Sequence, residues 1–554
     1  MTIRVLSDTA LLIQVPGDPS EATLRQVRAL GTRIVDSRWK GVKSIVPAAN
    51  SIAIYIRRPA QWLRVAALIE ELLGEVIESE EPTDSTEERV IPVCYREEFA
   101  PDMKRVSRAL NLPVDEIIER HCAPTYTVMA VGFAPGFPYL SGLDPQLHCP
   151  RLPSPRVRVP VGAVGIGGSQ TGVYPLELPG GWNLIGRTSL KLFDPTAEHP
   201  ALLKVGDKVR FESVEELVID SPRTRPPLSI ESTPPDEIAG IEVIDPGAQT
   251  TVQDLGRPSG AITGVTEGGA MNRRALRIAN LLVGNDEELA AMEWVMRGPR
   301  LRFHQRCLVA ITGTLAREVP FARPFVVEAG EELDLTKLTE PSRGILAVSG
   351  GIDVPVVLDS RSTHLSGRFG GWDGRALRRG DLLPVGANGA TDVSPGWRIL
   401  PTWVGGSVEA IAPIRVLTGP ESGAFSSEAW AKFLNTIWTI KPDSNRMGIR
   451  LTGDKIEPTA PIEMVSQPVD VGTIQIPASG EPIVLMADRQ TLGGYPRLAS
   501  VIAVDLAILA QVPLGQRIRF VETDLKTAEA LRHEEDRQLA LMRAAIKPRL
   551  SRTS

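Results

Sequence analysis

The stretch from Gly132 to Thr188 limits what this chain can fold into more than any other: GFAPGFPYL, then PRLPSPRVRVPVGAVGIGGSQTGVYP, then LPGGWNLIGRT. Gly162, Gly165, Gly167, Gly168 and Gly172 fall within eleven residues. Glycine at that density lets the backbone bend and leaves amide groups open, and the interleaved prolines favour short strands in a small closed β-barrel over a helix-covered parallel sheet. Two readings fit. In one, open amides form a site, with Arg151, Arg156, Arg158 and Arg187 holding an anionic small molecule that Tyr139, Tyr174 and Trp182 wall in. In the other, the glycines only let barrel strands close on each other.

At 554 residues, the chain is too long for one core and implies roughly three or four domains. Asp and Glu (67) slightly exceed Lys and Arg (61) and no basic block occurs, which argues against nucleic acid as a partner. The longest apolar run, LASVIAVDLAILAQVPL, contains Asp505 and Gln511 and falls short of a membrane span. MTIRVLSDTALLIQV reads as strand rather than as a cleaved signal, so a cytoplasmic protein is expected. Cys94, Cys122, Cys149 and Cys307 form no C-x-x-C pair and the histidines stand apart, so neither a disulfide frame nor a structural metal is expected.

In chain order, residues 1–85 read as strand, strand, helix, strand, strand, helix, a small ferredoxin-like α+β domain of the split βαβ kind. Residues 89–215 form the Gly-rich barrel. A proline-rich linker, 216–238, separates the halves. Two further units, 239–405 and 406–524, are again rich in short strands, and 525–554 is a charged helical tail expected as a surface or interface helix rather than as part of a site. An internal echo supports duplicated barrels: GSQTGVYP with RQTLGGYP, and VGDKVRF with LGQRIRF.

The motifs GFAPGFPYL, VPVGAVGIGGSQTGVYP and PGGWNLIGRT resemble the Kip inhibitor type, also described as allophanate hydrolase subunit 1 and as the B subunit of 5-oxoprolinase. PGAQTTVQDLGRP, GGAMNRRALRIANLLVGN, AVSGGIDVPVVLDSRST, SNRMGIRLTG and ADRQTLGGYP resemble the Kip antagonist type, or the C subunit of the same enzyme. The likeness runs to Phe520. It implies three cyclophilin-like β-barrels after the first domain, a mainly β chain, without implying isomerase activity. It also implies a component of ATP-dependent 5-oxoprolinase, which opens the lactam of 5-oxo-L-proline to L-glutamate. The partner would be a separate A subunit of the lactam-utilisation type. ATP with magnesium would be used in the assembled enzyme, with no metal or biotin bound on this chain; homo-oligomerisation is left open.

Such chemistry needs cations for carboxylate and phosphoryl oxygens, amide donors for developing charge, and a base for water. In the matched motifs the candidate binders are Arg156, Arg158, Gly167, Gly168, Gln170, Arg187, Arg257, Arg446, Arg489 and Tyr495. The candidate acids and bases are His121, Asp254, Glu293 and Asp488. Asn272 departs from the family pattern, which carries Asp there, and an amide cannot act as base. No G-x-x-x-x-G-K-[ST] loop occurs, nor an A-M-K-M biotin site. Two other functions remain: a carboxyltransferase of the urea carboxylase type, disfavoured by the missing biotin carrier, and a Kip-type regulator of a histidine kinase, self-cancelling if inhibitor and antagonist share one chain.

Overall fold

The structure is a computed structural model that describes residues 1–37, 39, 41–57, 65–67, 69–71, 88–217, 240–314, 319–337, 343–387, 390–393, 397–400, 410–462 and 464–552. Nearly all of the expected linker, and most of the second helix expected before residue 85, lie outside the described residues.

The first unit is a hairpin (Thr2–Ser7, Ala10–Gln14), a helix (Glu21–Asp36) and a second hairpin (Val42–Ala48, Ser51–Ile56). The helix starts where Ser20 and Thr23 cap each other: Thr23 N–H donates to Ser20 Oγ at 3.2 Å and Ser20 N–H to Thr23 Oγ1 at 2.9 Å, a reciprocal arrangement that satisfies two otherwise orphaned donors. Ser51–Ile56 lies antiparallel between Ala10–Gln14 and Val42–Ala48. The two strands joined by the helix therefore run parallel with a third between them, which is the expected split βαβ. Side chains alternate across this sheet. Leu11, Ile13, Ile45, Ile52 and Ile54 pack beneath the helix, while Leu12, Val46, Ala48, Ala53 and Tyr55 face the following barrel.

That barrel has seven strands in the order Asn183–Arg187, Ala163–Gly167, Gln170–Val173, Pro138–Ser141, Tyr126–Val131, Lys208–Ser213, Glu88–Val93. Paired backbone hydrogen bonds between Cys94 and Arg187, 2.8 and 3.0 Å, close it. A Cβ on Gly167 would lie 2.5 Å from Trp182 Nε1. The glycines make room for rings: Phe137 meets Tyr139, Tyr174 and Trp182 edge-on at 5.0, 5.2 and 5.6 Å, in a cluster covered by the first sheet. Of the two readings of this stretch, the geometry supports tight closure.

In the second half, a four-stranded sheet (Glu332–Asp334, Arg300–Phe303, Ile241–Asp245, Leu382–Leu383) and a five-stranded one (Gln249–Gln253, Ala291–Val295, Arg343–Val348, Cys307–Thr312, Pro324–Val327) enclose Val243, Trp294, Phe303 and Leu346. A closed seven-stranded barrel follows: Ile411–Thr418, Arg497–Val501, Thr473–Gln475, Ile483–Leu485, Gly448–Thr452, Trp438–Ile440, Arg517–Glu522.

The two seven-stranded barrels are twins. Starting from Glu88–Val93 and from Ile411–Thr418 the strand order is identical, and in both the first and last strands pair in parallel. VGDKVRF and LGQRIRF fall on the matching last strands. The other echo is out of register. Leu492–Gly493 in RQTLGGYP pairs with Gln467–Pro468 just as Leu178–Gly180 pairs with Arg156–Val159, so its counterpart is LPGGWNL and not GSQTGVYP. Among the described residues no helix is long and apolar enough to cross a membrane.

Candidate functional site

Where the two second-half units meet, charged side chains from distant motifs converge. Arg446, in the turn before Gly448–Thr452, donates Nη1 to Glu293 Oε1 at 2.5 Å, Nε and Nη2 to Asp488 at 2.8 and 2.9 Å, and Nη2 to the Gly269 carbonyl at 2.6 Å. Glu293, on Ala291–Val295, also accepts the Met271 amide at 2.7 Å. All three side chains are buried. Burial alone would lower the Arg446 pKa, but Asp488 and Glu293 outweigh it and hold the guanidinium above its usual range. Gly269 has φ +85, and a Cβ there would lie 2.8 Å from the Gly256 nitrogen, so the turn presenting its carbonyl to Arg446 demands glycine.

Asp254 and Arg257 extend this network. Asp254 accepts from Gly256 N and Ser360 Oγ at 2.7 Å, Arg361 N at 2.6 Å and Ser362 Oγ at 2.5 Å, which saturates the carboxylate. Arg257, fully buried, donates Nη2 to the Ser362 carbonyl and lies 5.1 Å from the Phe369 ring centre, while Nε and Nη1 have no hydrogen-bond partner. Burial, opposed by Asp254 and Asp488, brings its pKa down to about 10. His364 stacks on Phe369 at 4.7 Å, accepts the Gly367 amide at Nδ1 and is pushed down by burial to about 4.

Beside this network opens a cavity of about 580 Å³ lined from three units. The first unit contributes Thr9, Lys43 and Tyr55; the loop and the Arg273–Leu282 helix of the following unit, Glu267, Met271, Arg273, Arg274 and Arg277; the closed barrel, Asp470, Met486 and Ala487. Lys43 Nζ and Arg273 Nη1 both pair with Glu267 Oε1, the latter at 2.9 Å. Burial lowers the Lys43 pKa, with Glu267 opposing; burial would raise that of Glu267, but Arg273 and Lys43 overcome it and hold it well below the carboxylate range. Arg489 donates to Asp470 at 3.1 Å and keeps Nε and Nη1 without a partner, and Asp470 accepts Ser7 and Thr9 hydroxyls, each at 2.6 Å.

The structure thus brings together Asp254, Arg257, Glu293, Arg446, Asp488 and Arg489 and places the other sequence candidates elsewhere. His121 is in the core of the first barrel, stacked on Phe211 at 4.5 Å. The Thr171 hydroxyl gives its proton to the Gly165 carbonyl, so it accepts from His121 Nε2 at 3.0 Å, and Nδ1 accepts the Tyr95 hydroxyl at 2.7 Å. Burial drives its pKa to about 3. Arg156 pairs with Asp102 at 2.5 Å, Arg158 with Glu177 at 2.6 Å, and Arg187 Nε donates to the Val161 carbonyl at 2.8 Å. Gly167 and Gln170 are ladder partners flanking Gly168, and Tyr495 is 47% exposed.

Lys43, Tyr55, Glu267, Arg273, His364 and Asp470 were absent from the sequence candidates. So was the Leu525–Ile546 helix, expected at the surface or an interface: its Arg532, Glu535 and Asp536 line the cavity, because its charged residues share a face with apolar anchors. Asn272 caps the Arg273–Leu282 helix, accepting from Ala275 N at 2.9 Å and donating to the Ala507 carbonyl at 3.4 Å. The second bond needs an amide rather than a carboxylate.

Comparison with known proteins adds what this geometry resembles. Residues 1–203 match the family described as carboxyltransferase domain, subdomain C and D, and residues 263–522 the one described as carboxyltransferase domain, subdomain A and B. The chain is 38% identical over 312 residues to the C subunit of 5-oxoprolinase from Escherichia coli (strain K12), covering 54% of this chain and 95% of that one. To the B subunit of 5-oxoprolinase from Escherichia coli O157:H7 it is 41% identical over 212 residues, 38% of this chain and 95% of that one. The crystal structure of TTHA0988 matches with a TM-score of 0.79 at 32% identity, over 92% of this chain and 99% of that one.

Proposed function

We propose, for a chain that belongs to the family of the B and C subunits of 5-oxoprolinase and carries both on one polypeptide, that it is the B and C component of an ATP-dependent 5-oxoprolinase working with a separate A subunit in the cytoplasm. The observation that carries this reading is the composite cavity, about 580 Å³ and lined jointly by the B-type first unit and both C-type units, a size suited to a small molecule rather than a macromolecule.

Opening a lactam requires a more electrophilic carbonyl and stabilised oxygen charge. In this reading Lys43 and Arg273 face the substrate carboxylate; Arg257, between the lining residues Gly256 and Pro258, and Arg489, bonded to the lining residue Asp470, each have two guanidinium nitrogens lacking a protein acceptor and take oxygens as charge develops. Glu293, Asp488 and Asp254 are held by strong donors, so they orient the cations around them rather than take a proton. His121 and the first-barrel arginines are left out.

ATP with magnesium belongs to the reaction of the assembled enzyme. Among the described residues no group of three His, Cys, Asp or Glu side chains could hold a metal ion, and Glu267, Asp470, Glu293 and Asp488 are each paired with a cation. These residues do not fit magnesium, and no step on this chain is routed through the nucleotide.

The test is 5-oxo-L-proline-dependent ATP hydrolysis and glutamate release by this protein, its A subunit, and the mixture. Turnover in the mixture alone is the expected result. A folded, associating mixture without turnover sinks the reading and turns attention to carboxyl transfer, the chemistry that the family description names.

A further inference from the structure

The Leu525–Ile546 helix lies beyond residue 522, where the family match ends, and yet it forms part of the cavity wall. Leu525, Ala528, Arg532, Glu535, Leu539, Met542 and Ile546 follow one another at alternating steps of three and four residues, a single stripe on one helix face. Both ends of the stripe are anchored. Leu525 and Ala528 pack with Leu417, Ile502 and Val504, and Leu539, Met542 and Ile546 pack against the Arg273–Leu282 helix. The two middle positions, where apolar residues would continue the anchor, are Arg532 and Glu535, and both line the cavity.

Glu535 Oε1 is buried and accepts no hydrogen bond; the nearest cation recorded, Arg274 Nη1, is 3.6 Å away. Burial raises its pKa despite Arg274, Arg277 and Arg532 nearby. Leaving a carboxylate oxygen buried without a donor is unfavourable. A helix that only braced the fold would place leucine here.

We propose that this helix completes the cavity and selects its ligand, Glu535 accepting an amide N–H and Arg532 joining Lys43 and Arg273 around the ligand's carboxylate. The proposal rests on the reading of the cavity as the 5-oxo-L-proline site, a ligand whose ring N–H stands between the lactam carbonyl carbon and the carbon that bears the carboxylate.

The experiment uses the full chain with its A subunit and compares 5-oxo-L-proline with its N-methyl derivative, which lacks the N–H. The wild type is expected to prefer 5-oxo-L-proline in kcat/KM by about tenfold or more, the worth of one charge-assisted hydrogen bond. Glu535→Gln is expected to raise KM for 5-oxo-L-proline by a similar factor with kcat kept within about twofold, and to shrink the discrimination. Arg532→Gln should raise KM and leave the discrimination intact. Unchanged discrimination in Glu535→Gln, with an unfolding midpoint equal to wild type, overturns the proposal. If the wild type shows no turnover at all, the functional reading fails separately. Calorimetry of wild type and Glu535→Gln with 2-pyrrolidone and urea then decides: binding weakened by the substitution upholds an amide site, and no binding, or equal binding by both, overturns it.

Discussion

In the barrel of residues 88–213 the ring of His121 stacks on Phe211 at 4.5 Å, and Tyr126 Oη donates to the His121 carbonyl at 2.7 Å. In the barrel of residues 411–522 the ring of Phe433 stacks on Phe520 at 4.6 Å, and Trp438 Nε1 donates to the Phe433 carbonyl at 3.0 Å. These are the same positions in twin folds, with histidine standing where the twin has phenylalanine. The barrels diverge outside their cores. The first turns an aromatic cluster toward the N-terminal sheet, while the second buries Arg446, Asp488 and Arg489 next to Asp470, Met486 and Ala487, which line the cavity. Glycine density marks the barrel packed most tightly on rings, and buried arginine marks the one beside the cavity.

The largest expected effect breaks the second barrel's side of that comparison. Arg446→Met removes the cation shared by Glu293 and Asp488 and leaves two buried carboxylates without it, only Glu293 keeping an amide, that of Met271; this should destabilise the protein by about 3–5 kcal/mol. Arg156→Met in the first barrel should lose less than half as much, because Asp102 keeps the Leu184 amide at 2.7 Å. Urea denaturation of both variants measures the contrast. Equal losses would mean that the two barrels bury charge alike.

His121 allows a finer cut. Its pKa of about 3 lies below the unfolded value, so the unfolded chain binds the extra proton between about pH 6.5 and 3. This contribution to stability is full above about pH 6.5 and is lost as pH falls. His121→Phe, copying the twin, should lose about 1–2 kcal/mol at pH 8 by taking the acceptor from the Tyr95 hydroxyl and a donor from the Thr171 oxygen, and the gap to wild type should narrow toward pH 4. A kcat in the assembled enzyme reduced tenfold, with the fold intact, would instead give His121 a chemical role.

The strand pattern, the barrel closure and the split βαβ unit were legible because alternation and turn residues are local. Asp254, Arg257, Arg446 and Asp488 could be named as candidates because they sit inside recognisable motifs, and Glu293 was named beside them without one. Lys43 was not: in VKSIVPA it looks like the solvent face of an edge strand, and its partner Glu267 is 224 residues away. The cavity exists only once three units pack, and no local pattern records that. Glu535 was hidden for a related reason, since EEDR in a charged helix reads as surface until the stripe through Leu539 and Met542 is placed against a neighbour. The glycines around Gly167 left two readings open, because a residue that leaves room for an indole and one that leaves room for a ligand look alike in sequence.

Gly167→Ala separates those two roles. Its Cβ would press on Trp182, an overpacking expected to destabilise by about 1–3 kcal/mol, and Trp182→Phe in the same chain should recover part of the loss. KM for 5-oxo-L-proline should stay at the wild-type value in both. A raised KM with stability unchanged would restore the amide-lined site to the first barrel.

Arg158→Ala should do least. Its side chain is 72% exposed and pairs with Glu177 at 2.6 Å, and Glu177 has a second cation, Arg368, at 3.5 Å. Exposed pairs of this kind are screened by salt and offset by the entropy of holding two long side chains. Losing one of two partners should therefore leave the denaturation midpoint at the wild-type value, at low and high salt alike, and KM unchanged. A tenfold rise in KM from so exposed an arginine would mean that the face of the first barrel closes over a ligand in the assembled enzyme, and would move the division of labour between the twins from their interior to their surface.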